Sequence, residues 1–512
     1  MRPHSIIFCI LFLNLLCIVN SNEILVVIPS CSYSHHQGPR AIVEKLAEKG
    51  HHVTFITPNT FETNSTNIRL INVNFLCKLR KFEFSKGLSI FEFLSTWINS
   101  TPIIQDKLLS CPEVQSLLNN EHFDAVLAEN LGYTTLNALA EHFNSTLIGI
   151  TTMETPAIML RAIGNVIHPI LHPIALIKLQ SHPTFFDRVK GIYYHFIFKI
   201  TLEKYYLYVS NSVIRKHFDT NLTSFELLQR VDLNIEGMSP VMDNSKPLLP
   251  NTVQIGMLHV KPPKPLPKDL QLFLDNSKNG VIYISFGSNV KSASLSPEDT
   301  HTLLDAMSRL NYDILWKFEN DTIENLPKNV KIQKWFPQQD LLAHRNIKAF
   351  VMQGGLQSIE EAINREVPLV VVPFFADQVA NAFKVAKLGC GVSVIKNELT
   401  SDTLFNAINE VASKLKYKNQ IKTIKNRILD TPLPPVETAV WWIEYAIRNR
   451  GAEHLKYKGA KMSFVEYFLI DVIFVHILAV FLIFYSVLKC IKFCCSRKNH
   501  QKVLREESKK QK

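Results

Sequence analysis

Short runs of β-branched and aromatic residues alternate with helical patterns along most of the chain, in two series separated by a proline-rich block. Many of the runs are apolar throughout, which is typical of parallel strands buried on both faces. Strands that alternate with helices form a parallel sheet with crossover helices. The sequence therefore predicts an α/β protein with two doubly wound domains that face a cleft. The candidate strands are 24–29, 52–57, 70–75, 124–128 and 147–151 in the first series, and 281–286, 313–317, 330–334, 349–352 and 369–373 in the second.

The proline-rich block divides the two series. Residues 260–268 contain KPPKPLPK, which cannot form a helix interior or a central strand and indicates a linker. Within the first series, residues 39–50 have a helical pattern that ends at Gly50. The predicted divisions are a first domain at 22–259, a linker at 260–278, a second domain at 279–450 and a juxtamembrane segment at 451–467.

Both ends of the chain indicate passage through a membrane. Residues 1–21 have the basic start, apolar run and small-residue end of a signal peptide. Residues 468–488 are apolar and long enough to cross a bilayer, and the basic tail at 489–512 predicts that this end is cytosolic. That tail has nine Lys or Arg and two Glu, so it carries +7 of the net +11 and leaves +4 elsewhere. The charge therefore belongs to the tail, and a nucleic-acid-binding domain is not expected.

These features predict a single-pass type I membrane protein with a luminal catalytic part. Glycosylation motifs agree with a lumen, and Lys509 and Lys510 resemble a dilysine retrieval signal of the endoplasmic reticulum. The four cysteines left between signal and span allow a disulfide but do not show which pair forms it, and their spacing predicts no metal site. The glycosylation motifs begin at Asn64, Asn99, Asn144, Asn221 and Asn320, and the four cysteines are Cys31, Cys77, Cys111 and Cys390.

The segment with the strongest chemical signal is 350–378, FVMQGGLQSIEEAINREVPLVVVPFFADQ. A strand there ends in Gly354-Gly355 and a helix follows at once, so backbone N–H groups at the positive helix end suit a diphosphate. Glu361, near the start of that helix, can accept hydrogen bonds from two ribose hydroxyls. Asp377 and Gln378 follow the next strand, at the edge of the sheet where ligands bind.

This segment resembles the donor-site consensus of the UDP-glycosyltransferases, the animal family that includes the UDP-glucuronosyltransferases. The resemblance covers essentially the whole chain, and the wording of YISFGSNV, KWFPQQDLL and QGGLQS is most similar to insect members. Two positions depart from the family's pattern. Met352 replaces a usual Thr or Ser, and Gln353 is present where vertebrate members have His. The resemblance implies a GT-B fold in which the second domain holds the nucleotide sugar.

The resemblance also implies a role for each matching residue. Trp335 would stack on uracil and Gln338 would contact the nucleoside. Ribose would be bound by Glu361, and the sugar hydroxyls by Asp377 and Gln378. Ser358 belongs to the same consensus. The residues that would hold the diphosphate are Ser288, Gln353, Gly354 and Gly355.

Sugar transfer to an alcohol or phenol requires a base, and a neutral imidazole is suited to that task near neutral pH. The loop after the first strand contains Ser34-His35, which matches the position of the family's base, and His36 is the competing candidate. The family pairs its base with an acid after the fourth strand, which here gives Glu129. Asp124 is the alternative acid, although it stands at the start of the strand. A carboxylate there would orient the imidazole and stabilise its charged form.

The resulting hypothesis is a UDP-glycosyltransferase that transfers glucose to hydroxyl groups of small lipophilic acceptors, as in detoxification. Direct attack on a UDP-α-sugar would invert the anomeric centre, and no cofactor or metal ion is expected beyond the UDP-sugar. UDP-glucuronic acid is the alternative donor, and a non-catalytic binder of lipophiles is the alternative function. A hydrolase is disfavoured because the chain has no G-x-S-x-G motif. The resemblance also allows for a homodimer.

Overall fold

The computed structural model describes residues 21–79, 90–172, 183–201, 207–242, 245–375 and 377–510. The predicted signal peptide lies outside these residues apart from Ser21. The chain divides into two compact units, one that ends at Lys456 and one that begins at Tyr457.

The first unit contains two parallel sheets. The first has seven strands in the order β3-β2-β1-β4-β5-β6-β7, and the second has six in the order β10-β9-β8-β11-β12-β13. The first six strands of one sheet and the six of the other thus repeat the same doubly wound order. The strands of the first sheet are β1 Glu23–Val27, β2 His52–Thr57, β3 Ile68–Asn72, β4 Ala125–Glu129, β5 Thr146–Thr151, β6 Leu233–Glu236 and β7 Thr252–Gln254. Those of the second are β8 Val281–Ser285, β9 Asp313–Lys317, β10 Val330–Gln333, β11 Ile347–Met352, β12 Leu369–Val371 and β13 Gly391–Ser393.

Helices cover the sheets and connect their strands. The α-helices among the described residues are α1 Ser34–Glu48, α2 Ile90–Leu109, α3 Pro112–Asn120, α4 Ala138–Phe143, α5 Ala157–Ala162, α6 Phe185–Lys199, α7 Leu207–His217, α8 Ser224–Gln229, α9 Lys268–Asn276, α10 Pro297–Ser308, α11 Gln338–Leu342, α12 Leu356–Asn364, α13 Gln378–Lys387, α14 Ser401–Ser413, α15 Leu415–Leu429, α16 Pro435–Arg448, α17 Phe464–Tyr467 and α18 Ile470–Lys510. Short 3₁₀ turns occupy Asn74–Leu79, Thr134–Asn137, Ser292–Ser294, Lys396–Glu398, Glu453–Leu455 and Lys458–Lys461.

Burial explains why the central strands are apolar throughout. In β1, Leu25 and Val27 pack into one hydrophobic cluster, while Ile24 and Val26 pack into another on the opposite face. The second sheet is likewise covered by a cluster on each face. All ten predicted strands are present, with ends shifted by up to three residues, whereas β6, β7 and β13 were not predicted. The helix predicted at 39–50 begins at Ser34, five residues earlier.

Two segments differ from the expected organisation. The predicted linker at 260–278 contains α9, which begins at Lys268 once the proline-rich run has ended. The last helix of the predicted second domain, α16, packs on the first sheet instead, where Ala439, Val440 and Ile443 join the cluster around β1. Its Glu444 also binds Lys49 at 2.7 Å. The chain therefore crosses between the two sheets twice, once before α9 and once before α16.

The second unit consists mainly of one helix. Among the described residues, α18 alone is long and apolar enough to cross a membrane. It begins at Ile470, two residues after the predicted start of the span, and continues as a helix through the basic segment to Lys510.

One disulfide joins Cys31, in the loop after β1, to Cys77, in the 3₁₀ turn after β3. Cys111 and Cys390 are buried and free. The structure thus assigns a pairing that the cysteine spacing left open.

Candidate active site

A cleft of about 620 Å³ lies between the carboxyl ends of the two sheets. In the first sheet, the adjacent strands β1 and β4 end at this cleft, and in the second sheet β8 and β11 do so. These pairs are the points where the strand order reverses, which is where doubly wound sheets bind ligands. Of the residues predicted for the base pair and the donor site, all line the cleft except Gly354 and Glu129, which are adjacent to lining residues.

On the first-domain side, His35 and Glu129 form a hydrogen-bonded pair. Nδ1 of His35 lies 2.7 Å from Oε1 of Glu129, which is 4% exposed. The Ser30 hydroxyl donates to the same carboxylate at 2.7 Å. Burial alone would raise the pKa of Glu129, but the hydrogen bond and charge of His35, together with Ser30, hold that pKa below its ordinary value. The carboxylate is therefore ionised. Because Glu129 engages Nδ1, Nε2 is the ring nitrogen of His35 that can take a proton from a substrate hydroxyl.

The competing histidine, His36, faces the protein interior. Its Nε2 lies 2.5 Å from the Ser30 carbonyl oxygen, and its Nδ1 lies 2.9 Å from the Thr57 hydroxyl. Burial lowers the pKa of His36, although the Ser30 carbonyl and Glu129 oppose that shift. Both ring nitrogens are engaged and His36 does not line the cleft, so His35 is the candidate base.

The alternative acid, Asp124, lies at the opposite end of β4. Its carboxylate accepts a hydrogen bond from the Glu23 backbone N–H at 2.9 Å. Because parallel strands present only their carboxyl ends to the cleft, Asp124 is a full strand length away from His35.

On the second-domain side, the Gln353-Gly354-Gly355 turn joins β11 to α12. Gly354 has φ +99°, and a Cβ there would lie 2.9 Å from Val371 and 3.0 Å from the Gln378 carbonyl oxygen. Only glycine fits both the backbone conformation and the space. Gly355 has φ −64° and caps α12, so it allows close backbone approach at the helix N-terminus.

The ribose candidate, Glu361, is held by two glutamine amides from α11. Gln338 donates to one carboxylate oxygen at 2.6 Å and Gln339 to the other at 3.2 Å. Gln338 also donates to the Ser358 hydroxyl at 3.0 Å, and it accepts from Tyr283 at 3.2 Å. Gln338, Ser358 and Glu361 thus form one polar group on the wall of the cleft.

The remaining nucleotide candidates surround that polar group. Trp335 is 55% exposed, and its ring meets the edge of Tyr33 from the first domain at 6.0 Å. Ser288 is exposed in the loop after β8. Gln353 is 7% exposed, and its Oε1 has no hydrogen-bond partner among the described residues. A buried amide oxygen without a partner at the cleft suits a polar ligand that can donate a hydrogen bond.

The sugar candidates lie at the start of α13. Gln378 accepts from the backbone N–H groups of Phe374 and Phe375 through Oε1, which leaves its Nε2 as a donor. Burial raises the pKa of Asp377, although a hydrogen bond from Asn381 at 2.8 Å opposes the shift. Asn381 also donates to the Gly354 carbonyl oxygen at 3.0 Å, so it links Asp377 to the Gln353-Gly354-Gly355 turn. Asn381 was missed, although its place four residues after Asp377 on a helix was a usable signal.

Two further contacts cross the cleft and were not anticipated. Asn289 donates to the Ser32 hydroxyl at 3.1 Å. Gln357, four residues before Glu361 on α12, directs its amide to the Ser34 carbonyl oxygen in the first turn of α1. The donor helix α12 is therefore hydrogen-bonded to the helix that carries His35.

The first-domain part of the cleft is largely apolar. Gly132, with φ +90°, stands where a Cβ would lie 1.9 Å from the Trp97 ring, so Trp97 can occupy this position only beside glycine. The apolar lining residues include Trp97, Leu131, Ile158, Met159, Leu160, Ile167, Leu207 and Leu228. Such a lining suits a lipophilic molecule with few polar groups.

The fold matches solved glycosyltransferases of the GT-B type. The structure of the glycotransferase of kitacinnamycin has a TM-score of 0.58 at 16% identity, covering 83% of this chain and 99% of that one. A UDP-glucose: anthocyanidin 3-O-glucosyltransferase in complex with UDP has a TM-score of 0.56 at 16% identity, covering 84% of this chain and 100% of that one. The fold is therefore that of a GT-B glycosyltransferase, with its cleft between two Rossmann-like domains.

The sequence comparisons give the family. The model described as UDP-glucoronosyl and UDP-glucosyl transferase matches residues 23–506, so the chain belongs to this family. UDP-glucosyltransferase 2 of Dactylopius coccus is 31% identical over 90% of this chain and 91% of its own length. UDP-glucuronosyltransferase 2B33 of Macaca mulatta is 28% identical over 92% of this chain and 93% of its own. The protein is thus a UDP-glycosyltransferase with both glucosyl- and glucuronosyltransferase relatives.

Proposed function

We propose that the protein transfers glucose from UDP-glucose to hydroxyl groups of small lipophilic acceptors, with inversion at the anomeric carbon. The observation that carries the proposal is the His35–Glu129 pair, at 2.7 Å, on the wall of the cleft opposite the donor loops. A buried, ionised carboxylate behind an imidazole is the arrangement that a general base requires.

In the proposed reaction, Nε2 of His35 accepts the proton of the acceptor hydroxyl. The acceptor oxygen forms a bond to the anomeric carbon as the bond from that carbon to the diphosphate oxygen breaks, and UDP leaves with the electron pair. Glu129 stabilises the imidazolium that results. Attack from the face opposite UDP yields a β-glycoside. The scheme requires no metal ion, because N–H groups at the start of α12 stabilise the leaving diphosphate.

The donor would lie along the second domain. Trp335 offers an aromatic face to uracil, and Gln338 and Glu361 contact the nucleoside and its ribose. Asp377 and Gln378 bind the sugar hydroxyls, supported by the donor amide left on Gln378. The diphosphate is assigned to Ser288, Gln353 and Gly355, which line the cleft, and to Gly354 in the same turn, while Ser358 supports Gln338.

Glucose is proposed as the donor sugar on the strength of the relatives. The 31% identical relative is a UDP-glucosyltransferase, and an ecdysteroid UDP-glucosyltransferase of Lymantria dispar multicapsid nuclear polyhedrosis virus is 30% identical over 92% of this chain. The apolar lining around Trp97 supports a lipophilic acceptor, as in detoxification or small-molecule conjugation.

The proposed location is the endoplasmic-reticulum membrane, with the catalytic unit in the lumen and the basic tail in the cytosol. The apolar part of α18 supports a membrane anchor. The disulfide between Cys31 and Cys77 suits an oxidising compartment. All five glycosylation motifs have an exposed asparagine, which agrees with luminal glycans.

The experiment that tests the activity is a donor competition with the full-length protein in microsomes. UDP-glucose and UDP-glucuronic acid are offered together with a panel of phenols and flavonoids, and the products are identified by mass spectrometry. A hexose adduct is expected. A glucuronide would overturn the donor assignment, and UDP binding without any product would favour a non-catalytic binder.

A further inference from the structure

A buried histidine lies directly behind the proposed ribose site. His259 belongs to the connection between the two domains, after β7 and immediately before the proline-rich run, and it is 2% exposed. It does not line the cleft. Its surroundings are nevertheless formed by α12, the helix that carries Glu361.

Three acceptors surround the His259 ring. Nε2 lies 3.1 Å from the Gln357 carbonyl oxygen and 3.4 Å from Oε1 of Glu361. Nδ1 lies 3.7 Å from Oε2 of Glu360. A neutral imidazole has one N–H donor, whereas an imidazolium has two. The arrangement therefore suits a ring that carries a proton on both nitrogens.

Glu360 is the second buried carboxyl of this cluster. It is 1% exposed, and its Oε1 has no hydrogen-bond partner among the described residues. A Cβ at Gly256 would lie 2.8 Å from that oxygen, so the carboxyl fits only because glycine stands opposite. Burial raises the pKa of Glu360 to about 7, although His259 opposes the shift. Burial would lower the pKa of His259, but Glu361 and Glu360 raise it above its ordinary value.

The other charged and titratable groups near the cluster come from β8, α11, α1, the proline-rich run and the residue after α12. Tyr283 on β8 and Arg365 after α12 are both affected by the charge of Glu361. Arg365 also donates to the Lys261 carbonyl oxygen and is affected by Asp340 of α11. The Lys261 ammonium is occupied at 2.7 Å by Glu44 of α1. His259 is thus the cation that contacts both carboxyls directly.

We propose that His259 is a positioning residue of the donor site, which holds the Glu361 carboxylate for the ribose hydroxyls, and that Glu360 tunes this hold by gaining or losing its proton. The proposal rests on the proposed function, because it takes Glu361 as the ribose ligand. His259 also contacts the Gln357 backbone, and the Gln357 amide binds Ser34 beside His35. The same histidine therefore supports the hydrogen bond that connects α12 to the first turn of α1, where His35 lies.

The test measures ribose recognition directly, without transfer. Full-length protein in detergent is dialysed against UDP or 2′-deoxy-UDP, and the two dissociation constants are compared. A hydrogen bond to a charged group predicts that the wild type prefers UDP by about tenfold or more. In His259→Gln the preference should fall below about threefold, near that of Glu361→Gln, with 2′-deoxy-UDP binding changed less than about twofold. The matched control is His344→Gln. His344 does not line the cleft, and its Nε2 lies 3.2 Å from the Asp275 carboxylate.

The second variant, Glu360→Gln, keeps the side-chain shape and removes the titration. Between pH 6 and pH 8 the wild-type preference for UDP should fall, because ionised Glu360, which faces Nδ1, attracts the His259 imidazolium away from Glu361 at Nε2. The preference of Glu360→Gln should stay constant over that range. An unchanged preference in His259→Gln, or the same pH dependence in wild type and Glu360→Gln, would overturn the proposal. A wild type that binds no UDP would instead overturn the donor site itself.

Discussion

Replacement of Glu129 by Gln isolates the charge behind the proposed base. The variant keeps the size of the side chain in a site that is 4% exposed, but it removes the negative charge 2.7 Å from His35. During transfer His35 becomes an imidazolium, so the carboxylate stabilises the transition state more than the ground state.

The size of the effect follows from that geometry. Two unit charges about 4 Å apart interact by about 4 kcal/mol at an effective dielectric constant of about 20. Each 1.36 kcal/mol corresponds to a tenfold change in rate, and the remaining polar amide recovers a part of the loss. We expect kcat to fall by about 100- to 1,000-fold, while KM for the UDP-sugar changes less than about threefold.

The assay is steady-state transfer with donor and acceptor varied separately, with thermal unfolding measured on the same preparation. The control is Asp124→Asn, an acid that directly precedes β4, at the end of the strand away from the cleft. It should keep near-wild-type kcat. A Glu129→Gln protein that is folded and retains kcat within about fivefold would refute the assignment of Glu129 as the partner of the base.

Three further predictions concern other parts of the first unit. Gly132→Ala should displace Trp97 and raise KM for a lipophilic acceptor while KM for the donor stays constant, because the new Cβ would lie 1.9 Å from the indole ring; an unchanged acceptor KM would contradict this. Replacing Cys31 and Cys77 by Ser should cost about 4 kcal/mol of unfolding free energy, from the entropy of closing a loop with a separation of 46 residues; thermal unfolding with and without reductant checks it, and equal stability would count against the bond. Glu360 has a raised folded-state pKa of about 7, so the folded state holds a proton that the unfolded state loses at lower pH. As the pH rises from the ordinary carboxyl pKa of about 4.5 to about 7, stability should therefore fall by up to about 1.4 kcal/mol per pH unit, and by less in Glu360→Gln. Identical slopes in the two proteins would refute this prediction.

The sequence predicted the central strands because burial on both faces requires apolar runs. The strands that it missed are short or carry buried polar residues. In β6, Asn234 is fully buried but hydrogen-bonded to Asn130 at 2.7 Å. Glu236 of the same strand accepts from Thr155 at 3.2 Å. A strand whose polar groups are satisfied by distant partners has no periodic apolar signal in the sequence.

The proximity of His35 and Glu129 could be predicted, because both follow adjacent parallel strands at the same edge. The direction of Gln357 could not, because its partner Ser34 belongs to the other domain. The buried pairing of His36 depends likewise on Thr57, a contact that adjacency in the sequence does not reveal. The sheet on which α16 packs could not be predicted either. An amphipathic pattern shows that a helix has an apolar face but does not show which sheet covers it.

The packing of α16 on the first sheet has a consequence for how the polypeptide matures during translation. The ribosome completes β1 to β7 long before it reaches Pro435, and the second sheet is synthesised in between. Until Val440 and Ile443 emerge, the sheet surface that they later cover remains open to water and to other nascent chains. The first domain can therefore complete its core only after almost the whole first unit has been made, so a chain truncated before α16 would expose an apolar surface and would be a substrate for chaperones and degradation.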